Sequence, residues 1–389
     1  MITILTSHNI RLFIIFMIIL ALSDSISNAF TSISLAFGII YILYDFYKKR
    51  NLHYLQIPLL IKFSICSFFI SILVASIFTY NWENIDYAVK YIYWFIPFPI
   101  LFYLCKDKFS DKIIIYPIIL SIVCTSIYSL YLFFILPVGS RIGGFHFNPN
   151  FYAVMLVMLI PYVLFYTINI MKSNKLEGIV CIVTVFLGSF SLYLTGSRGG
   201  VLAFILSCII ITFLYFSHNK NIKKMTILIF SIIFIASIFL NIGFNGGIFR
   251  SYDMERLYLL KSSYNMWCDY KLFGTGLASW DDLYQSKYIL PDANEKLIIP
   301  HNIVAWFFSA TGIVGGCGFI FLTIGLLYFF TKQAFKEKNN YLYWAVIFSI
   351  LGVTIHGLVD VGITMKASNR LFWALVGIST ASFYWNYDN

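Results

Sequence analysis

Long apolar runs separated by short polar breaks organise this chain. A helix that crosses a membrane needs about 20 mostly apolar residues. Twelve stretches approach that pattern: residues 11–27, 30–46, 57–79, 87–105, 113–136, 150–171, 177–195, 200–217, 225–242, 302–330, 341–358 and 368–385. The stretch 302–330 is long for one helix, and Gly312, Gly315, Gly316 and Gly318 within it predict a kink or break. The first two runs read as an uncleaved helical hairpin rather than a signal peptide, because the second starts almost as soon as the first ends. The pattern predicts an all-α polytopic membrane protein of about twelve transmembrane helices, with residues 1–389 forming a single integral membrane domain.

Charge then orients the spans. Lys48-Lys49-Arg50, Lys106/Lys108/Lys112, Lys172/Lys175, Lys220/Lys223/Lys224 and Lys332/Lys336/Lys338 occupy alternate breaks. Basic loops stay on the cytoplasmic side, so both termini are expected there. The opposite face carries residues 80–86, 137–149, 196–199, 243–301 and 359–367. Residues 243–301 form the only long loop. Its mixture of Trp267, Trp280, Asp281, Asp282 and Glu295 with apolar residues predicts a folded cap, with a helix around Met254 to Trp267.

Composition agrees. The 389 residues are 60% hydrophobic and 11% charged, whereas soluble domains run near about 25% charged. Aromatics at 20% suit lipid-facing helices that end in interfacial belts. The net charge of +10 does not imply nucleic-acid binding, because the lysines sit in short loops between spans. The seven cysteines form no CxxC pair and read as small hydrophobes, with no disulfide framework and no zinc site.

Every conspicuous polar motif falls on the face opposite the lysines. Arg198 lies in Leu194-Thr195-Gly196-Ser197-Arg198-Gly199-Gly200, between two apolar spans. A guanidinium beside hydrocarbon costs about 2.5–3.5 kcal/mol, so such residues are rare and usually functional. Its planar fork suits phosphate oxygens, and the flanking glycines admit a bulky headgroup. The alternative is an arginine that snorkels to the interface. Arg141 lies in a Gly-rich loop that leads to Asn148-Pro149-Asn150, and Arg256 lies in the cap. The competing reading of Arg256 is an ion pair with Glu255 or Asp253. His301 follows Pro300 at the start of a long apolar stretch, where it serves either as a general base or as a helix-terminal residue. Asp360, at a span end, is placed to orient or neutralise an arginine, while His146 and His356 read as structural or interfacial. Glu255, Asp281 and Asp282 read as solvated cap residues. Gly274-Thr275-Gly276 lacks the third glycine and strand context of a dinucleotide site. On the outer face neither ATP nor nucleotide sugars are present, so an activated substrate there has to be lipid-linked.

Four motifs in order give the chain a family resemblance. They are Gly144-Phe145-His146-Phe147-Asn148-Pro149-Asn150; Leu194 to Gly200; Arg256-Leu257 leading to Gly274-Thr275-Gly276-Leu277; and His301-Asn302 with Gly312-Ile313-Val314-Gly315-Gly316 behind it. Over about residues 130 to 380 the chain resembles the O-antigen ligase and polymerase superfamily. The resemblance implies a GT-C-like glycosyltransferase of the bacterial inner membrane with its active site facing the periplasm. It implies an undecaprenyl-pyrophosphate-linked glycan as donor and the lipid A–core oligosaccharide as acceptor, for an O-antigen ligase of lipopolysaccharide biosynthesis. It implies no cofactor, no required metal and no nucleic-acid partner, and an inverting transfer. Under it, Arg198 and Arg256 bind the pyrophosphate, with Arg141 a further contact, and His301 activates the acceptor hydroxyl. Asn148, Asn150, Asn302 and Asp360 are supporting residues. The alternatives are an O-antigen or other polysaccharide polymerase of the same superfamily, a protein O-oligosaccharyltransferase, and a non-catalytic flippase. A flippase needs charges along a path through the bilayer, whereas these cluster at one face.

Overall fold

The computed structural model describes residues 7–24, 27–49, 56–146, 148–218, 251–293 and 297–385. Among these residues the regular structure is entirely helical. Nine described helices precede the long loop: α1 (Ser7–Asp24), α2 (Asn28–Lys49), α3 (Leu59–Ile77), α4 (Trp82–Trp94), α5 (Pro97–Leu104), α6 (Lys112–Ile135), α7 (Pro149–Ile170), α8 (Lys175–Leu194) and α9 (Arg198–His218). The loop contributes α10 (Ser251–Asp269) and α11 (Trp280–Leu283), which continues into a π-helical turn, Tyr284–Tyr288. Then come α12 (Ile303–Lys336), α13 (Tyr341–Gly357) and α14 (Lys366–Ala381).

Among the described residues eight helical segments are long and apolar enough to cross a membrane, and Ser7–Ser23 and Tyr341–Gly357 are shorter apolar helices. The chain is therefore a multi-pass membrane protein. The segment predicted at 87–105 is divided into α4 and α5 at Phe95-Ile96-Pro97, where Pro97 opens the second helix. Phe95 and Ile96 keep right-handed helical dihedrals, and the division comes from Pro97, which has no amide hydrogen to continue the ladder. The segment predicted at 225–242 lies outside the described residues. The last predicted segment, 368–385, corresponds to α14 and the 3₁₀ turn Ser382–Tyr384.

Burial follows apolarity around each helix. α7 is apolar on all sides and is mostly enclosed, while α9 is largely exposed to its surroundings. α7 packs on α8 and α13, α14 on α5, and α3 on α12. The last pair comes very close. A Cβ added at Gly318 would lie 1.9 Å from Ser71 Oγ, and one at Gly325 would lie 2.0 Å from Ser64 Oγ. Small residues at an interface let helix backbones approach where no hydrophobic effect drives them together. Phe37, Phe63, Ile70, Phe134, Phe186 and Ile324 point outward, as hydrocarbon-facing side chains do.

The predicted break in α12 is real and sits at Gly312, whose φ of 64° and ψ of −164° are not helical. Breaking a helix frees backbone amides and carbonyls that lipid cannot satisfy. Here the chain segment Lys271 to Gly276 supplies the partners. Ile313 N donates to Lys271 O (2.8 Å), and Val314 N donates to Leu272 O (3.2 Å). In return Thr275 N donates to Ser309 O (2.9 Å), and Gly276 N donates to Ala310 O (2.8 Å). The two backbones touch: a Cβ on Gly312 would sit 2.2 Å from Leu272 O, and one on Gly274 would sit 2.4 Å from Ala310 C. Trp280, fully buried, adds an indole bond to Ser309 Oγ (2.8 Å). The described part of the loop thus carries a helix at Ser251–Asp269, and the segment that follows it is bonded to the bundle through the break.

Gly312→Ala should therefore cost stability twice, through the left-handed φ and through the clash with Leu272. Together these amount to about 2–5 kcal/mol. Gly139 also has a positive φ (89°) but has nothing within 4 Å of a built Cβ, so Gly139→Ala carries only the conformational part. Thermal unfolding of the purified proteins in detergent should rank Gly312→Ala well below Gly139→Ala. Equal melting temperatures would refute the interlock.

Candidate functional site

One end of the bundle gathers the ends of α7, α8, α9, α12 and α13. Arg141, Asn150, Arg198, Arg256, His301 and Asp360 line a cavity there of about 410 Å³. Gly196, Ser197, Gly199, Asp253, Glu255, Leu297, His356 and Val359 complete the wall. Residues that lie up to 219 positions apart in sequence, from Arg141 to Asp360, thus share one chamber.

Each side chain is delivered by a local device. The loop that carries Arg141 is tied to the end of α8, where Ile142 N donates to Leu194 O (3.1 Å) and Arg141 Nε donates to Thr195 O (3.0 Å). α8 ends at Leu194, and Gly196, with a φ of 59°, then turns the chain toward Arg198 at the start of α9. Asn148 caps α7 by accepting from Asn150 N (2.8 Å), and Asn302 caps α12 by accepting from Ala305 N (2.9 Å). Asn302 also donates to Leu358 O (2.9 Å), which joins the start of α12 to the end of α13. Neither of these two asparagines lines the cavity. Their contribution is to hold Asn150 and His301 at the helix starts.

A continuous hydrogen-bonded chain crosses the chamber. The Arg141 guanidinium donates to Asn150 Oδ1. Asn150 Nδ2 donates to Asp360 Oδ2 (2.6 Å). Asp360 Oδ1 lies 3.1 Å from His301 Nδ1 and accepts from Val361 N at 2.8 Å. A carboxylate only accepts, so Nδ1 carries the shared proton, and in the neutral ring Nε2 holds the lone pair. Burial pushes the Asp360 carboxyl upward. The bond from His301, the charges of His301 and His356 and the Val361 amide outweigh it, and the group stays below its ordinary value. His301 itself is held at a φ of 48°. That left-handed geometry is uncommon outside glycine, and strain of this kind clusters at functional sites.

The arginines are held in different ways. Arg198 NH2 donates to Asp253 Oδ1 at 2.5 Å, which links the start of α9 to the cap helix α10. Arg256 forms no ion pair among the described residues, although both Glu255 and Asp253 were open to it on sequence grounds. Asp253 is engaged by Arg198, and Asp253 and Arg256 stand three residues apart on one helical face. Glu255 was expected to be solvated. It is instead buried and lines the chamber. His356, read as structural, also lines it, with its ring almost wholly enclosed. The sequence signal for His356 was the His-x-x-x-Asp spacing to Asp360, which places both at the end of one helix. His146 does not face the chamber and packs on Tyr152, with ring centroids 5.9 Å apart. Asp281 is engaged by Gln285 in the cap. Lys62 and Lys90, which a flippase would use to line a central cavity, are exposed and do not line the chamber. Among the described residues no group of three His, Cys, Asp or Glu side chains is placed to hold a metal ion.

Chemically, the chamber sets fixed guanidinium donors beside an imidazole whose tautomer and direction are set by a buried carboxylate. That combination stabilises negative charge at one point and accepts a proton at another. Comparison with known proteins bears on which reaction this serves. Residues 183–320 match a family model described as O-antigen ligase. The matched stretch includes Arg198, Arg256, His301 and the helix break at Gly312. No curated protein matches the chain.

Acid titration should separate two of these groups. Burial drives His146 down from 6.5 to about 4. Between those values the unfolded chain takes up a proton that the folded chain resists, so stability falls as the pH drops from 6.5 toward 4. The depressed Asp360 carboxyl stabilises the fold above its ordinary value and loses that contribution only as the pH falls through its lower folded value. Melting curves should therefore show His146→Gln flattening the limb between pH 6.5 and 4. Asp360→Asn should remove only the part below about pH 4. An unchanged upper limb in His146→Gln would refute the assignment.

Proposed function

We propose that this chain, a member of the O-antigen ligase superfamily through residues 183–320, transfers O-antigen polysaccharide from undecaprenyl pyrophosphate to the lipid A–core oligosaccharide. The observation that carries the reading is the meeting of Arg141, Arg198 and Arg256 with the His301–Asp360 pair in one chamber. In this reading residues 1–389 act as one integral membrane domain of the bacterial inner membrane, and residues 243–301 cap its periplasmic face.

The proposed chemistry is a single displacement. The acceptor hydroxyl oxygen attacks the anomeric carbon of the donor sugar while its proton passes to His301 Nε2. The bond from that carbon to the pyrophosphate oxygen breaks, and its electron pair leaves with the pyrophosphate. Charge therefore grows on the leaving group as the reaction proceeds. Guanidinium groups fixed at that point bind the transition state more tightly than the ground state. Asp360 stabilises the imidazolium that forms. Attack from the face opposite the leaving group inverts the anomeric centre. The incoming phosphate would replace Asp253 on Arg198, one anion for another. The cap, pinned by the helix break, would keep water from the activated donor.

The test is expression in a ligase-null strain with intact O-antigen synthesis and, in parallel, in a polymerase-null strain, followed by separation of the lipopolysaccharide. A restored ladder in the ligase-null strain alone is expected. A ladder restored only in the polymerase-null strain would assign the same chemistry to a second lipid-linked glycan as acceptor. In the active background His301→Ala should lose about a hundredfold or more in rate. Arg198→Lys should lose about as much, since a point charge does not reproduce a bidentate fork. A well-expressed Arg198→Lys protein with wild-type activity would sink the pyrophosphate assignment.

A further inference from the structure

His356 is the one histidine of the chamber wall that the proposed chemistry leaves idle. Its side chain is 1% exposed, and neither Nδ1 nor Nε2 has a hydrogen-bond partner. A neutral imidazole always presents one donor and one acceptor, and a buried polar group left unpaired is destabilising because its hydration is lost without replacement. An aromatic hydrocarbon would fill the same space without that penalty, so the pairing is expected in another state of the protein. Asp360, four residues away, does not provide it. Its oxygens are taken by Asn150, His301 and the Val361 amide.

The direction of the ring narrows the partner. A Cβ built on Gly199 would lie 3.8 Å from His356 Cδ2, and one built on Gly362 would lie 3.6 Å from Cε1. Nε2 sits between those two carbons, so this edge of the ring lies between Gly199 and Gly362, next to Val359, whose Cγ2 is 2.4 Å from the same built Gly199 Cβ and which also lines the chamber. Gly199 is the second residue of α9, directly after Arg198. Its amide belongs to the first turn, where helix amides lack internal partners, and it makes no hydrogen bond among the described residues. A 21-residue helix also directs its positive dipole end at this point. His356, Gly199 and Arg198 line the same chamber, and an imidazole N–H, a first-turn amide and a guanidinium can all donate.

Building on the reading above, we propose that His356 is a phosphate-binding residue. Its Nε2–H and the Gly199 amide bind the phosphate of a polyprenyl pyrophosphate at the N-terminus of α9, alongside Arg198. Helix N-termini with converging donors are anion sites. His356 differs in role from His301: one binds the leaving group and the other takes the acceptor proton. Its loss should therefore act on donor binding rather than on the proton transfer.

The experiment uses the purified full chain in nanodiscs, with geranylgeranyl pyrophosphate as the probe and geranylgeranyl monophosphate beside it. Wild type, His356→Phe and His356→Gln are compared for affinity and melting temperature. We expect about a tenfold weaker Kd for the pyrophosphate in His356→Phe, with the melting temperature kept. In His356→Gln, where an amide donor remains, the loss should stay under about threefold. An unchanged Kd in His356→Phe overturns the inference, and so does a lowered melting temperature without a change in Kd. If His356→Phe does not fold, ¹⁵N-histidine spectra of the wild type decide. The resonance absent from His356→Gln should shift on adding the pyrophosphate, and a static resonance overturns the inference. Failure of the wild type to bind either probe would instead remove the donor-binding reading on which this one rests.

Discussion

The break in α12 at Gly312 is the constraint on which the site depends. An unbroken helix from Ile303 to Lys336 would satisfy its own backbone and offer the cap nothing to hold. Breaking it exposes amides and carbonyls in a setting without water, and the only economical partner is another stretch of backbone. The segment Lys271 to Gly276 provides that partner through four interchain-like bonds within one chain. Since α10 runs directly into this segment, the register of those bonds fixes where Arg256 and Asp253 stand. The glycines at 274 and 312 are then required by contact as well as by φ, because each backbone occupies the space of the other's missing Cβ.

A second constraint follows from where the polar side chains meet. Asp360 accepts from Asn150, from His301 and from the Val361 amide, and so joins α7, the start of α12 and the end of α13. A buried carboxylate is stable only with such a complement of donors. His301 is delivered to it in a left-handed backbone conformation, immediately before the Asn302 cap. The cap, the strained residue and the carboxylate therefore form one unit. None of them is free to move without exposing a charge or an unpaired donor.

Much of this was legible in the sequence, for identifiable reasons. Membrane helices announce themselves by apolar length alone, and the lysine pattern sorts their ends, so the residues at one end were grouped correctly before any coordinates. Arg141, Asn150, Arg198, Arg256, His301 and Asp360 stood out because charged and amide side chains beside apolar spans are rare. The break at Gly312 was signalled by clustered glycines. What was hidden depends on side-chain direction in the cap and at helix ends. Composition could not say that Asp253 faces Arg198 while Arg256 faces the chamber, or that Glu255 is buried. His356 was missed because a single histidine in an apolar helix looks the same whether it fills space or waits for a ligand. The division of α4 from α5 was hidden as well, although Pro97 was its cause.

The resting chamber holds its donors in two energetic conditions, and the contrast bears on how an anion would be recognised. Arg141 and Arg198 already have oxygen partners, so a phosphate arriving at either exchanges one charge-assisted bond for another, with little net gain. Their value lies in placing positive charge where a leaving group becomes more negative. His356 and the Gly199 amide have no partner to surrender. A ligand that reaches them removes an existing penalty and gains a bond at once. On the proposed reading, ground-state affinity for the donor would come mainly from the unpaired groups. The paired arginines would act chiefly as bond breaking builds charge, which is the division of labour that lets binding energy lower the barrier rather than deepen the ground state.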